Sequence, residues 1–250
     1  THHPRAAEAA TKYFLMQAAA SALLLFATTL NAWYTGEWTI SCTQNTAPSL
    51  MLMIALMIKL AVAPFHVWLP DVIQGLDLTT CLILLTWQKL APITLLIQIG
   101  SELNSALLIT FGVLSIILGG WGGLNQPQIR KIMAYSSIAH LGWMTVVLTY
   151  SPQLTIFNLL LYLFTTTAMF FMLINLMSTN INKTAISWTK YSSLTPAMMI
   201  ILMSLGGLPP MSGFLPKWLI LEELVKQDMM FIATIIAVSA LLSLFFYLRL

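Results

Sequence analysis

Charge is what this sequence has least of. Eleven basic and eight acidic residues are spread over 250 positions, 8% of the chain, where a soluble protein carries roughly 25%. The net charge of +3 is too small and too dispersed for a phosphate-binding surface, which sets nucleic acid aside as a partner. Cysteine is almost absent. Cys42 and Cys81 are isolated thiols, so neither an iron–sulfur cluster held by four cysteines nor a disulfide scaffold is available. His2-His3 is a short pair without further ligands, and no metal site is expected there. The fifteen methionines include no cluster flanked by His or Cys and are read as apolar filling.

What remains is apolar. Hydrophobic residues make up 58% of the chain and mean hydropathy is +0.85, too little polar surface to coat a globule in water. Leu, Ile, Met and Ala arrive in long runs rather than in the alternation of a barrel strand, so an all-α polytopic membrane protein is expected. A span needs about 20 mostly apolar residues. Eight segments qualify, at approximately 12–34, 49–69, 78–99, 103–121, 131–150, 154–177, 195–225 and 229–250. The chain begins at Thr1 without an initiator Met and stops at Leu250 inside an apolar run. It therefore reads as a single transmembrane domain, 1–250, truncated at both ends.

Two spans contain proline where a helix cannot continue smoothly. Pro64 interrupts the second, and Leu208-Pro209-Pro210-Met211-Ser212-Gly213 divides the seventh into half-helices around an unwound centre. Their odd offset means that they cross in opposite directions, the arrangement of inverted-repeat transporters with an ion site at the breaks. The plainer reading is that membrane helices often contain Pro, and the halves lack obvious sequence identity. Loop charges test the threading. Arg5, Lys12, Arg130, Lys131, Lys183, Lys190 and Arg249 fall on one side. The other side has Glu37, Glu102, Glu222, Glu223 and Asp228, with Lys226 as its one basic residue.

Lys59, Lys89, His140 and Lys217 are left inside spans. A central lysine costs roughly 2.5 to 3.5 kcal/mol on insertion scales, which marks a functional, hydrated path; the alternative is snorkelling of the ammonium to the headgroups. Lys59 is about 15 Å from either end of its span at 1.5 Å per residue, beyond comfortable reach. Ser136 and Ser137 share a helical face with His140. Asn158, Tyr162 and Thr165 or Thr166 form a second polar stripe, which either lines a water chain or holds helices together. Reversible proton binding is the chemistry on offer, since burial favours a neutral amine and a neighbouring carboxylate favours the ammonium. No Asp or Glu lies mid-span, so a missing upstream segment or a partner subunit is expected to supply the counter-charge. His66, near the end of the second span, is read as a packing or capping residue, and Arg130-Lys131 as an orientation anchor that also meets lipid headgroups.

The same residues carry a family resemblance. Lys59-Leu-Ala-Val-Ala-Pro-Phe-His-Val-Trp-Leu-Pro-Asp71, Trp87-Gln-Lys-Leu-Ala-Pro92, Gly119-Gly-Trp-Gly-Gly-Leu-Asn-Gln126, Arg130 to Trp143 and Leu205-Gly-Gly-Leu-Pro-Pro-Met-Ser-Gly-Phe-Leu-Pro-Lys-Trp218 resemble the antiporter-like proton-channel subunits of respiratory complex I. The resemblance runs from about Pro4 to the last residue. It implies an inverted-repeat antiporter-like fold and a core subunit of proton-pumping NADH:ubiquinone oxidoreductase in the mitochondrial inner membrane. By motif, Lys59 is the central lysine, Lys89 the connecting one, His140 a relay and Lys217 the lysine of the second broken helix. The family pairs its central lysine with a glutamate on an earlier helix that this sequence does not include. NADH, FMN, iron–sulfur clusters and ubiquinone are then bound by other subunits, with none in this chain, and the partners are other membrane-arm subunits and lipid. The competing readings are a cation/proton antiporter subunit and a structural membrane module that conducts nothing.

Overall fold

A backbone without water must satisfy its own hydrogen bonds, and apolar runs of this length do so by coiling. The computed structural model describes residues 4–40 and 45–250; Cys42 and the His2-His3 pair lie outside them. Among the described residues the regular structure is helical, apart from one isolated antiparallel bridge between Gln128 and Asn180. The first five helices are α1 (Pro4–Thr35), α2 (Thr46–Leu60), α3 (Trp68–Gly75), α4 (Leu78–Leu85) and α5 (Trp87–Ile99). There follow α6 (Ser105–Gly123), α7 (Ile129–Val147), α8 (Pro152–Leu176), α9 (Ile181–Lys190), α10 (Leu194–Gly206), α11 (Phe214–Lys226) and α12 (Met230–Arg249).

Five helical stretches are long and apolar enough to cross a membrane: α1, the joined α4–α5, α6, α8 and α12. The expected eight-span count is met in full length by these five only. Two of the remaining three are the Pro-broken segments, whose halves are individually too short. The last is α7, as long as α6 but diluted by Arg130, Lys131, Ser136, Ser137 and His140. Its surroundings explain how it tolerates them. Most of its nineteen residues are buried, so α7 is the bundle's central post and meets protein rather than lipid.

Small residues let α6 approach that post. A Cβ added at Gly119 would stand 2.8 Å from Ala139 N and 2.9 Å from Tyr135 O, and one at Gly112 3.0 Å from Gly142 O. The backbones touch directly, as in small-residue seams between membrane helices. At the start of α6, Asn104 Oδ1 accepts from the amides of Ala106 and Leu107 at 3.1 and 3.4 Å, the expected cap for orphan donors.

Differences from the expected boundaries have local causes. α1 begins at Pro4, about two turns early, because Pro suits a first helical position and the Ala-rich stretch after it favours helix despite its charges. The second segment extends to Gly75 rather than 69. α9 was not expected. Ten residues are too few for a hydropathy search for spans, yet Ile181 and Ile186 among Asn182 and Lys183 make an amphipathic helix suited to an interface.

The charges sort by end of the bundle. Lys12 pairs with Glu8 at 2.7 Å and with Asp71 at 3.2 Å. Arg130 donates to Leu76 O, and Arg249 to Leu124 O at 2.6 Å. These contacts join α1, α3, α7 and α12 at one end, the basic side. Lys226 pairs with Glu222 at 2.9 Å at the other.

Candidate functional site: two helix breaks and their lysines

The two broken helices share one backbone design. α2 ends in Ala61, which adopts the left-handed conformation (φ 60°), with the Ala61 and Val62 amides donating to Ile58 and Met57 carbonyls. α10 ends in Gly207 (φ 78°), and the Gly207 and Leu208 amides donate to Ser204 and Met203. Proline follows three residues later in each, Pro64 and Pro210. Pro cannot continue a helix, and a left-handed residue closes the turn, so each first half stops with its last carbonyls unpaired by the helix.

Lysines take up those carbonyls. The Lys89 ammonium, on α5 and only 3% exposed, donates to Leu60 O at 3.3 Å. The Lys217 ammonium, on α11, donates to Gly206 O at 2.8 Å and Leu205 O at 3.5 Å. A cation at a helix C-terminus meets the negative end of the dipole, and so each break holds an ammonium against carbonyl oxygens. The three ion pairs among the described residues all lie at the ends of the bundle. Among the described residues neither of these lysines is paired with a carboxylate.

Lys59 is placed differently. It occupies the last turn of α2, half-buried, and makes no ion pair among the described residues. Thus the structure brings Lys89 to the first break beside it, without joining the two side chains. His66 lies in the connection between α2 and α3, where its carbonyl accepts from the Leu69 amide at 3.1 Å. The N-cap of α3 is Val67, with no side-chain cap bond, and the His66 Nδ1 is buried.

His140 and Lys217 share a cavity. With Trp143, Asn158, Tyr162, Thr165, Ser204 and Gly213 they line a space of about 10 Å³ open to the centre of a water molecule, room for roughly one water. The His140 and Tyr162 rings lie 5.4 Å apart. The Tyr162 hydroxyl donates to Leu85 O at 3.1 Å, across to the α4–α5 junction. There the Thr86 hydroxyl bonds back to Leu82 O at 2.7 Å, and the Lys89 amide donates to Thr86 O. Tyr162 thereby leads from the His140–Lys217 cavity to within one helical turn of Lys89.

Within the predicted polar stripes the Ser and Thr hydroxyls are buried and bond back to their own helices. Ser136 and Ser137 donate to Met133 O and Ala134 O at 2.8 and 2.7 Å, and Thr165 and Thr166 donate to carbonyls one turn back on α8. Each oxygen keeps lone pairs for a further donor. Sequence reading missed the carbonyls of Leu60, Leu205 and Gly206; the usable signal was proline a few residues after a mid-span helix end.

A helical membrane bundle with two broken helices, each presenting backbone carbonyls to a lysine ammonium, has the design of an antiporter-like membrane subunit. The family described as NADH:quinone oxidoreductase/Mrp antiporter, transmembrane, matches residues 1–243, and the chain belongs to it. Within that family it is similar to NADH-ubiquinone oxidoreductase chain 2. The Xenopus laevis protein of that name is 59% identical over 248 residues, covering 99% of this chain and 72% of the relative. The Tetraodon nigroviridis protein is 58% identical over 249 residues, 100% of this chain and 71% of the relative. Respiratory complex I from Thermus thermophilus contains a chain with a TM-score of 0.90 at 30% identity, covering 98% of this chain and 59% of that one. The Mrp complex from Dietzia sp. contains another with a TM-score of 0.86 at 19% identity, over 97% of this chain and 50% of that one. The second likeness is one of fold.

Proposed function

We propose that this chain is a proton-translocating core subunit of NADH:ubiquinone oxidoreductase in the mitochondrial inner membrane. Electrons pass from NADH to ubiquinone in other subunits, which bind the cofactors, while Lys59, Lys89, His140 and Lys217 carry protons near the membrane midplane. Other membrane-arm subunits and lipid surround it. The observation that carries this reading is the pair of breaks, each offering an ammonium to unpaired helix carbonyls. Such a lysine exchanges its proton when a neighbouring charge moves, because carbonyls favour the ammonium less strongly than a carboxylate does.

Lys59→Met in the intact complex tests it. Proton pumping and coupled quinone reduction fall together if Lys59 is a station. An unchanged rate with an unchanged proton-to-electron ratio removes it from the path.

A further inference from the structure

The first turns of α1 cross α3 at the basic end of the bundle, and two cavities lie along that crossing with Ala9 in the wall of both. The crossing is tight. A Cβ added at Gly75 would stand 2.6 Å from Arg5 O and 2.7 Å from Ala9 Cβ, so the shared wall is fixed backbone rather than movable side chains.

The first cavity, of about 180 Å³, is a polar cleft lined by Arg5, Glu8, Lys12 and Asp71. The Lys12 ammonium binds one oxygen of each carboxylate, Glu8 Oε1 and Asp71 Oδ2, which leaves the second oxygen of each able to accept. Arg5 is exposed and makes no ion pair among the described residues. Guanidinium donors and carboxylate acceptors therefore face one space, and the balance of charge suits a ligand that carries both signs. The second cavity, of about 260 Å³, is an apolar groove that continues from Ala9 and Ala10 to Ile83 and Leu84. Tyr13 and Gln88 line it too, and the Tyr13 hydroxyl donates to Gln88 Oε1. Gln88 lies about 15 Å beyond the start of α4 by helical rise, so the groove leads from the basic end into the apolar layer. An apolar cavity of roughly 150 Å³ takes one benzene ring, and this groove accordingly takes a run of a single hydrocarbon chain. A helix, about 10–12 Å across, is too wide to enter it.

We propose that this crossing binds a zwitterionic glycerophospholipid with a primary-ammonium headgroup. Its phosphate meets Arg5, its ammonium the free oxygens of Glu8 and Asp71, and one acyl chain follows the groove. Arg presents a fork of donors matched to phosphate. A primary ammonium brings three N–H donors to the two carboxylates; a trimethylated one brings none, and an anionic headgroup meets both carboxylates uncompensated. The site requires only that the basic end lies at a membrane surface, and so it stands apart from the proton relay.

A phosphatidylethanolamine carrying a photoreactive group in its acyl chain tests this on the intact complex in phosphatidylcholine vesicles. Labelling is expected on the peptides that contain Tyr13 and residues 76–88, suppressed severalfold by unlabelled phosphatidylethanolamine and little by added phosphatidylcholine or phosphatidylglycerol. Arg5→Gln should lower that labelling severalfold while NADH oxidation with an artificial acceptor stays at the wild-type level. Ala10→Phe, which fills the groove from α1, should do the same, and it decides if Arg5→Gln fails to assemble. Equal suppression by all three lipids marks ordinary bilayer contact and overturns the site, and stronger suppression by phosphatidylglycerol overturns the headgroup assignment. Unlabelled peptides would mean that protein covers the groove, and unchanged labelling in the variants that the lipid sits elsewhere; either result overturns the proposal.

Discussion

At the scale of the residue, the second break leaves almost no freedom around Lys217. Gly207 has a positive φ, and a Cβ there would stand 2.9 Å from Lys217 Nζ and 2.8 Å from its Cδ. Gly207→Ala therefore combines two effects. The left-handed conformation costs an L-residue about 1–2 kcal/mol, and the methyl pushes the ammonium off Gly206 O. The complex is expected to assemble at reduced yield, with a lowered proton-to-electron ratio in what does assemble, measured on vesicles normalised to artificial-acceptor activity. Gly213 is the contrasting case. A Cβ there would collide with Ser204 O, backbone that cannot yield like the end of a lysine. Gly213→Ala should cut the amount of assembled complex on native gels, and a normal yield would show that the two half-helices separate more easily than their contact implies.

At the scale of the element, the bundle rests on α7 and its glycine seam with α6. Gly119→Leu replaces direct backbone contact with a side chain for which no space exists; overpacking of this kind costs about 1–3 kcal/mol or more. The expected result is a lower unfolding temperature and less assembled complex. Gly36, with nothing within 4 Å of an added Cβ, is the control, and Gly36→Asn, which tolerates its positive φ, should be nearly silent. The element scale is also where sequence and structure part company. Membrane class, broken helices and mid-span lysines were legible because hydropathy, proline and a lone charge each announce themselves at one position. α9 was not, since an amphipathic ten-residue helix looks like a polar connection. The partners of Lys89 and Lys217 were hidden for a different reason. They are backbone carbonyls, every residue has one, and only the folded turn determines which ones the helix leaves unpaired.

At the scale of the whole molecule, the charges lock orientation while the breaks sit between them. The ties Lys12–Asp71, Arg130–Leu76 and Arg249–Leu124 gather distant segments at one end, the end that the excess of Lys and Arg assigns to the inside. Cysteines placed at Lys131 and Lys183 should react with an impermeant thiol reagent from the same side of sealed vesicles, and one at Glu102 from the opposite side. Between these ends, Tyr162 lines the Lys217 cavity and donates to Leu85 O, one helical turn before Lys89, so the proposed relay runs through both breaks in series. Residues acting in series are not additive: once one station is lost, removing another changes little. The double variant Lys89→Met/Lys217→Met should therefore lower the proton-to-electron ratio no further than the more severe single variant. Two parallel routes would instead make the losses add, and that outcome would separate the breaks into independent half-paths despite the bridge that Tyr162 forms to Leu85 O.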